Sequence, residues 1–313
     1  MSTLHVVVGA SGGAGNAVVR ELVSRGRNVR AISRRRQAEI PPGVEHFQAD
    51  ASDVNSLRDA CRDAAVVYHC ANVPYHLWSM HLVPITRAII AASAAAGAKL
   101  VVMDNLYMYG PVTGPMTETT PRNARGRKGR LRTQLEHLLL DAHRSGAVKV
   151  AIGRASDFFG PRAISVPMLL VVQPALRGGK AWWPGRLDAP HTVSYLPDVA
   201  WGLVTLGERD ESSGEIWHLP AGEPLTGRQF IGLVFHEQGT PLRYGTIRRP
   251  VMILAGLLSP VIREGVEVLY QFERPFVMDA SKFTRAFGSR VTAHREAIRK
   301  TLDALRAGTP FGA

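Results

Sequence analysis

Gly9, Gly12 and Gly15 stand in the string Gly9-Ala10-Ser11-Gly12-Gly13-Ala14-Gly15, directly after the apolar run Leu4–Val8 and directly before a helical pattern. Glycines at that spacing between a strand and a helix permit a tight turn and let backbone N–H groups and the helix N-terminus approach a pyrophosphate. The chemistry implied is dinucleotide binding, with Ser11, Gly13 and Ala14 completing the phosphate loop. A site for NAD would place a carboxylate for the ribose 2′-hydroxyl roughly 20 residues on. Here the second strand ends in Ser33-Arg34-Arg35-Arg36, and the first acid beyond it is Glu39. A hydroxyl beside guanidinium groups accepts a 2′-phosphate through charge-assisted bonds, so NADP(H) is the preferred cofactor and NAD(H) a possible one.

Three further groups of residues could act on a ligand. Tyr75, His76 and Trp78 follow the fourth apolar run, where ligands bind outside the carboxyl ends of doubly wound sheets, and would line a pocket. Asn105, Tyr107 and Tyr109 share one side of the chain if the fifth strand stays extended that far. Arg122 to Arg132 holds six cations in eleven residues and would steer an anionic substrate group. The eleven histidines show no H-x-x-x-H or H-E-x-x-H pairing, so no metal site is expected. Cys61 and Cys70 form no C-x-x-C, which points to a reducing cytoplasmic setting rather than a disulfide framework.

The elements that must position these groups can be read from pattern. Short β-branched runs alternate with helical stretches from Leu4 to Gly153, which predicts an α/β fold with a doubly wound parallel sheet of six strands. Residues 1–155 then form the dinucleotide-binding domain, and residues 156–313 a smaller substrate lobe, with a return segment near 190–206. The chain has 313 residues, 45% of them hydrophobic and 20% charged, which suits one large globular unit or two unequal lobes. Its net charge of +12 comes from dispersed arginines rather than a basic tail, so no nucleic-acid partner is expected. Pro250 to Ile262 is the longest apolar segment and too short to span a bilayer; it predicts a buried or interface helix, and no membrane partner.

Several strings together resemble the short-chain dehydrogenase/reductase superfamily, in its extended epimerase/dehydratase-like form. The glycine loop is one. Asp50-Ala51 is similar to the pair that meets adenine, and Cys70-Ala71-Asn72 to the fourth-strand segment beside the cofactor. Tyr109-Gly110, the string Arg154 to Pro161 and Ser194 to Ala200 match later family segments. The resemblance implies Ser156 at the cofactor, Phe158 at the substrate and a homodimer built on helices near His81–Ala96 and Gly129–Ser145, with Leu135, Leu138, Leu139 and Ala142 as an apolar face.

The chain departs from the family at the catalytic centre, because none of its six lysines has a Tyr four residues before it. Matching the helix through Glu136 sets Lys128 at the family's Tyr position and Arg132 at its Lys position; Asn105 falls at the Ser position. Arg132 would then bind ribose hydroxyls, and Lys128, crowded by arginines, or Tyr107 would handle the proton. These expectations describe an atypical NADP(H)-dependent oxidoreductase acting on a small carbonyl or hydroxyl compound. The alternatives are an NADP(H)-binding sensor and a non-redox lyase or isomerase on the same scaffold.

Overall fold

A computed structural model describes residues 3–34 and 40–310. Six strands and four helices alternate through the first half: β1 Leu4–Val8, α1 Gly13–Ser24, β2 Asn28–Ser33, β3 Glu45–Gln48, α2 Val54–Ala60, β4 Ala64–His69, α3 Trp78–Ala95, β5 Lys99–Asp104, α4 Arg127–Arg144 and β6 Val150–Arg154. The strands pair in parallel in the order β6-β5-β4-β1-β2-β3, and Ile216–His218 adds a seventh strand beside β6. Both faces are covered, as parallel sheets require. On one side Leu57, Ile85, Ile89 and Leu139 of α2, α3 and α4 pack on Val6, Val67 and Ile152. On the other, Val18 and Leu22 of α1 join Val199 and Leu203 of the helix Leu196–Glu208.

The chain runs outward from β1 to β3 and then crosses back to β4, so the strand order reverses between β1 and β4. A crevice opens at the carboxyl ends there, which is where such sheets hold ligands. The remaining residues build a lobe around Phe159, Met168, Val171, Trp183, Phe230, Phe272 and Ile298.

Three differences from the sequence reading have simple causes. The seventh strand escapes the sequence pattern because its three residues lie in a Gly- and Pro-rich stretch and gain order only by pairing with Ile152, Gly153 and Arg154. Strand β5 ends at Asp104, and Tyr107–Tyr109 form a 3₁₀ turn, so strand alternation does not align Asn105, Tyr107 and Tyr109. Pro250 to Ile262 is not buried; it forms two short, largely exposed helices. The turn and helix Tyr75–Ala95 are together long and apolar enough to cross a membrane, but Leu82, Ile85, Ala88, Ile89 and Ala92 are buried in the core. Leu135 and Leu139, an apolar face that suits a dimer contact and equally packing against the sheet, are buried within the chain.

Candidate active site

At the nucleotide end, Gly9 adopts a left-handed φ of 85°, and its N–H donates to the Ile32 carbonyl at 3.0 Å. A Cβ there would sit 2.6 Å from the Ala71 Cα, and one on Gly15 would collide with the Gly9 carbonyl. One on Gly13 would meet the Arg162 carbonyl oxygen at 2.7 Å, whereas Gly12 faces open space apart from the Gly9 carbonyl at 3.6 Å. The loop therefore holds strand, helix and the Cys70–Asn72 segment in close contact. Gly12 caps α1 with no side chain, which leaves the first-turn N–H groups to an anion.

Further along the crevice a 480 Å³ hollow is lined by Arg34, Gln48, Ala49, Asp50 and Ser56. Asp50 is oriented by bonds from the Ser52 hydroxyl at 2.6 Å and its N–H at 2.8 Å, which hold its carboxyl below the usual range. Ala51 follows it and packs partly against the core. Ser33 does not present a free hydroxyl as expected: it is buried, with its Oγ 2.9 Å from His46 Nε2. Arg34 is the predicted cation that reaches this hollow, and Arg35 lies outside the described residues. Burial pushes the Cys70 thiol up to about 12, so it stays protonated beside the loop.

Buried polar atoms collect where β4, α4 and β6 meet the crevice. His69 Nδ1, Arg132 Nε and Ser156 Oγ lack a hydrogen-bond partner among the described residues. Burial, with the Arg132 charge beside it, pushes His69 down to about 3, so its ring is neutral. Unmet buried polar atoms cost about 1–3 kcal/mol each, a cost that an amide and ribose hydroxyls at this place would relieve. Together with the glycine cradle, these atoms fit a nicotinamide dinucleotide. Arg132 itself pairs with Asp104 at 3.3 Å and lies 4.2 Å over the Trp78 ring.

At the other end, Tyr107 lines a 690 Å³ cavity with Gly110, Pro111, Arg125, Glu267, Val268 and Tyr270. Its phenol oxygen is 2.6 Å from that of Tyr75, and Trp78 stacks on its ring at 6.1 Å. Burial first, then Tyr75 and the negative charge of Asp157, hold the Tyr107 phenol well above its ordinary range. Burial likewise pushes Tyr75 up to about 12. Both phenols are therefore protonated at neutral pH. Asn105 accepts the Tyr107 N–H at 3.0 Å through its side-chain oxygen, which leaves its amide NH₂ for a ligand.

Lys128 is not crowded by cations, as the sequence suggested. Its ammonium is buried and donates to Glu264 and, at 3.3 Å, to Glu267, and it lies 5.2 Å over the Tyr75 ring. These carboxylates lie 136 and 139 residues further along the chain, so no local pattern signals them. With Lys128, the pairing of Arg122 to Glu136, Arg127 to Glu264 and Arg132 to Asp104 leaves four of the six cations ion-paired, while Arg125 lines the cavity and has no ion pair among the described residues. His76 is exposed on its turn, and Phe158 packs between the sheet and the lobe core, so neither joins the cavity wall.

A buried network fixes the 3₁₀ turn that carries Tyr107. Arg154 is fully buried, donating to Asp104 at 3.0 Å, to the Tyr109 oxygen at 2.8 Å and to Glu136. Tyr109 in turn donates to His218 Nε2 at 2.8 Å, while His218 Nδ1 donates to the Asp279 carbonyl at 3.0 Å. Burial and the Arg154 charge push His218 down to about 3, which agrees with a neutral ring that accepts at Nε2. Every proton in this chain of bonds has an acceptor.

A parallel sheet with a glycine-lined crevice and a tyrosine beside a cavity fits a Rossmann-type, dinucleotide-dependent oxidoreductase scaffold. The chain belongs to the NAD dependent epimerase/dehydratase family, whose model matches residues 5–219. It is 22% identical to dTDP-6-deoxy-L-talose 4-dehydrogenase (NAD(P)(+)) of Kitasatospora kifunensis, over 78% of this chain and 82% of that protein. It is 23% identical to the 4-hydroxy-2-methyl-3-oxo-4-farnesyl-3,4-dihydroquinoline-1-oxide ketoreductase of Stigmatella aurantiaca, over 98% of this chain and 96% of that one. The fold matches UDP-glucose 4-epimerase of Thermus thermophilus in complex with NAD with a TM-score of 0.78 at 20% identity, over 98% of this chain and all of the other.

Proposed function

We propose that this chain is an NADP(H)-dependent ketoreductase that reduces a carbonyl on an uncharged, largely apolar ring compound, with Tyr107 as the proton donor. The observation that carries this reading is the protonated Tyr107 phenol on the cavity wall, hydrogen-bonded to a second protonated phenol, Tyr75. A bound nicotinamide dinucleotide supplies the hydride to the carbonyl carbon. Tyr107 gives its proton to the oxygen, the Asn105 amide orients that oxygen, and Tyr75 returns a proton to Tyr107. A phenol that stays protonated at neutral pH begins as an acid, which favours reduction over the hydroxyl deprotonation with which an epimerase or dehydratase must start.

The apolar side of the reading is supported by Pro111, Val268 and Tyr270 on the cavity wall. It is also supported by the ketoreductase whose name specifies a farnesylated dihydroquinoline oxide. The NADP preference is supported by Arg34 in the hollow beyond the glycine loop. The test follows NADPH oxidation with prenylated ring ketones and with 4-keto sugar nucleotides, in the wild type and in Tyr107→Phe. The expected result is turnover of the ring ketones that falls at least ~10²-fold in Tyr107→Phe, the low end for general acid catalysis. Equal turnover in Tyr107→Phe, or turnover confined to the sugar nucleotides, would overturn it.

A further inference from the structure

Residues 248–267 form a helical hairpin, Arg249–Leu258 and Pro260–Val266, whose two acids are ion-paired, as is Arg249 with Glu273. Glu264 and Glu267 turn inward onto Lys128 and Arg127. Arg248 and Arg263 are exposed and have no ion pair among the described residues. The tip between them carries six aliphatic side chains that are 48% to 91% exposed: Val251, Ile253, Leu254, Leu257, Leu258 and Val261. Gly256 is buried where the two helices cross, and a Cβ there would lie 3.1 Å from the Arg263 Cα, so the close crossing points these aliphatic groups outward.

We propose that this hairpin docks the protein on an anionic lipid surface, the aliphatic tip entering the acyl boundary and Arg248 and Arg263 meeting the headgroups. The sequence alone predicted no membrane partner; the hairpin is too short to span a bilayer, but an interfacial contact needs only an apolar face beside a basic one. Charge decides against a second copy as the occupant. A two-fold contact sets the same patch against itself, which here would bring the arginine collars together. An anionic surface satisfies both features at once. Glu267, Val268 and Tyr270, directly after the hairpin, line the cavity, so a docked hairpin sets the cavity wall beside the lipid. That substrate arrives from the bilayer rests on the apolar-ketone reading above; lipid docking itself does not.

The experiment sediments the full chain with vesicles of phosphatidylcholine alone and of phosphatidylcholine mixed with phosphatidylserine, without turnover as a readout. Binding is expected to the mixed vesicles, to weaken with added salt, and to be lost in Leu254→Ser/Leu257→Ser/Leu258→Ser. Arg248→Gln/Arg263→Gln is expected to weaken it about 25-fold, roughly fivefold per arginine at an anionic surface. Unchanged melting temperature and NADPH affinity in both variants show that the fold is intact. No binding by the wild type, or equal binding by the serine variant, overturns the proposal. So does a concentration-dependent dimer that the serine variant dissolves while vesicles leave the protein in solution.

Discussion

At the nucleotide end of the crevice the contacts are short in sequence or run between adjoining strands: Gly9 and Ala10 bond to the Ile32 carbonyl, Gly12 to Gly9, and Cys70 to Val8. At the Tyr107 end they are long: Tyr107 meets Tyr75, Tyr109 meets His218, and Lys128 meets Glu264 and Glu267. The first end is made of backbone, whose chemistry any glycine loop can supply. The second is made of side chains from five separate parts of the chain, each of which must find its partner. A short motif can therefore specify the first end, whereas no short motif specifies the second.

Removing the centre of the buried network should break the comparison most severely. Arg154→Met leaves Asp104 to Arg132 alone and Glu136 to Arg122 alone, a change that costs about 3 kcal/mol, the low end for breaking a buried ion pair. The expected outcome is a large loss of stability in denaturant titration. A variant as stable as the wild type would mean that the Tyr107 end does not depend on this network.

What was legible in the sequence divides along the same line. The glycine loop, the six strands and the parallel order follow from local spacing and β-branched runs, because a strand-loop-helix turn is specified by neighbours. Lys128 was legible as a cation but its surroundings were not, since the carboxylates it shares with Arg127 come from the distant hairpin. Strand alternation points to Tyr107 only if the strand runs past Asp104, where it ends; the phenol reaches the cavity through a 3₁₀ turn instead. Tyr75 carried no sign that its phenol would pair with Tyr107, for which the turn after β4 and the turn after β5, meeting at the carboxyl end of the sheet, account.

The histidines sharpen the comparison through pH. His218 has its pKa pushed down to about 3 in the folded protein, against about 6.5 when unfolded. Between those values the unfolded chain binds the extra proton, so stability falls as pH drops below about 6.5, by roughly 2 kcal/mol between pH 7 and 5. His69, also near 3, adds a similar slope. His218→Gln is expected to remove about half of the loss from these two, read as the difference in unfolding free energy between the two pH values. An unchanged slope would show that burial and the Arg154 charge do not hold His218 neutral in the folded protein.

At the nucleotide end the expected effect is smaller and confined to one ligand. Arg34→Gln should weaken NADPH binding roughly tenfold, about 1.5 kcal/mol for a lost bond to a charged group, and leave NADH affinity unchanged. Calorimetric titration with both cofactors reads the ratio directly. Equal losses for the two would place Arg34 away from the 2′-phosphate.

The smallest effect is expected at Tyr75, because Tyr75→Phe keeps the Tyr107 acid and removes only its partner. One shared hydrogen bond has a net worth of about 1 kcal/mol, so kcat should fall roughly fivefold with KM unchanged. The pH profile carries the sharper signature. Tyr75 helps to hold the Tyr107 phenol up, and without it the Tyr107 pKa moves down toward the ordinary phenol range. An acid must be protonated to act, so activity is lost above its pKa, and the alkaline limb of kcat in Tyr75→Phe should begin at lower pH than in the wild type. A fivefold loss with no movement of the limb would make Tyr75 a packing residue, and Tyr107 would then take its replacement proton from another source.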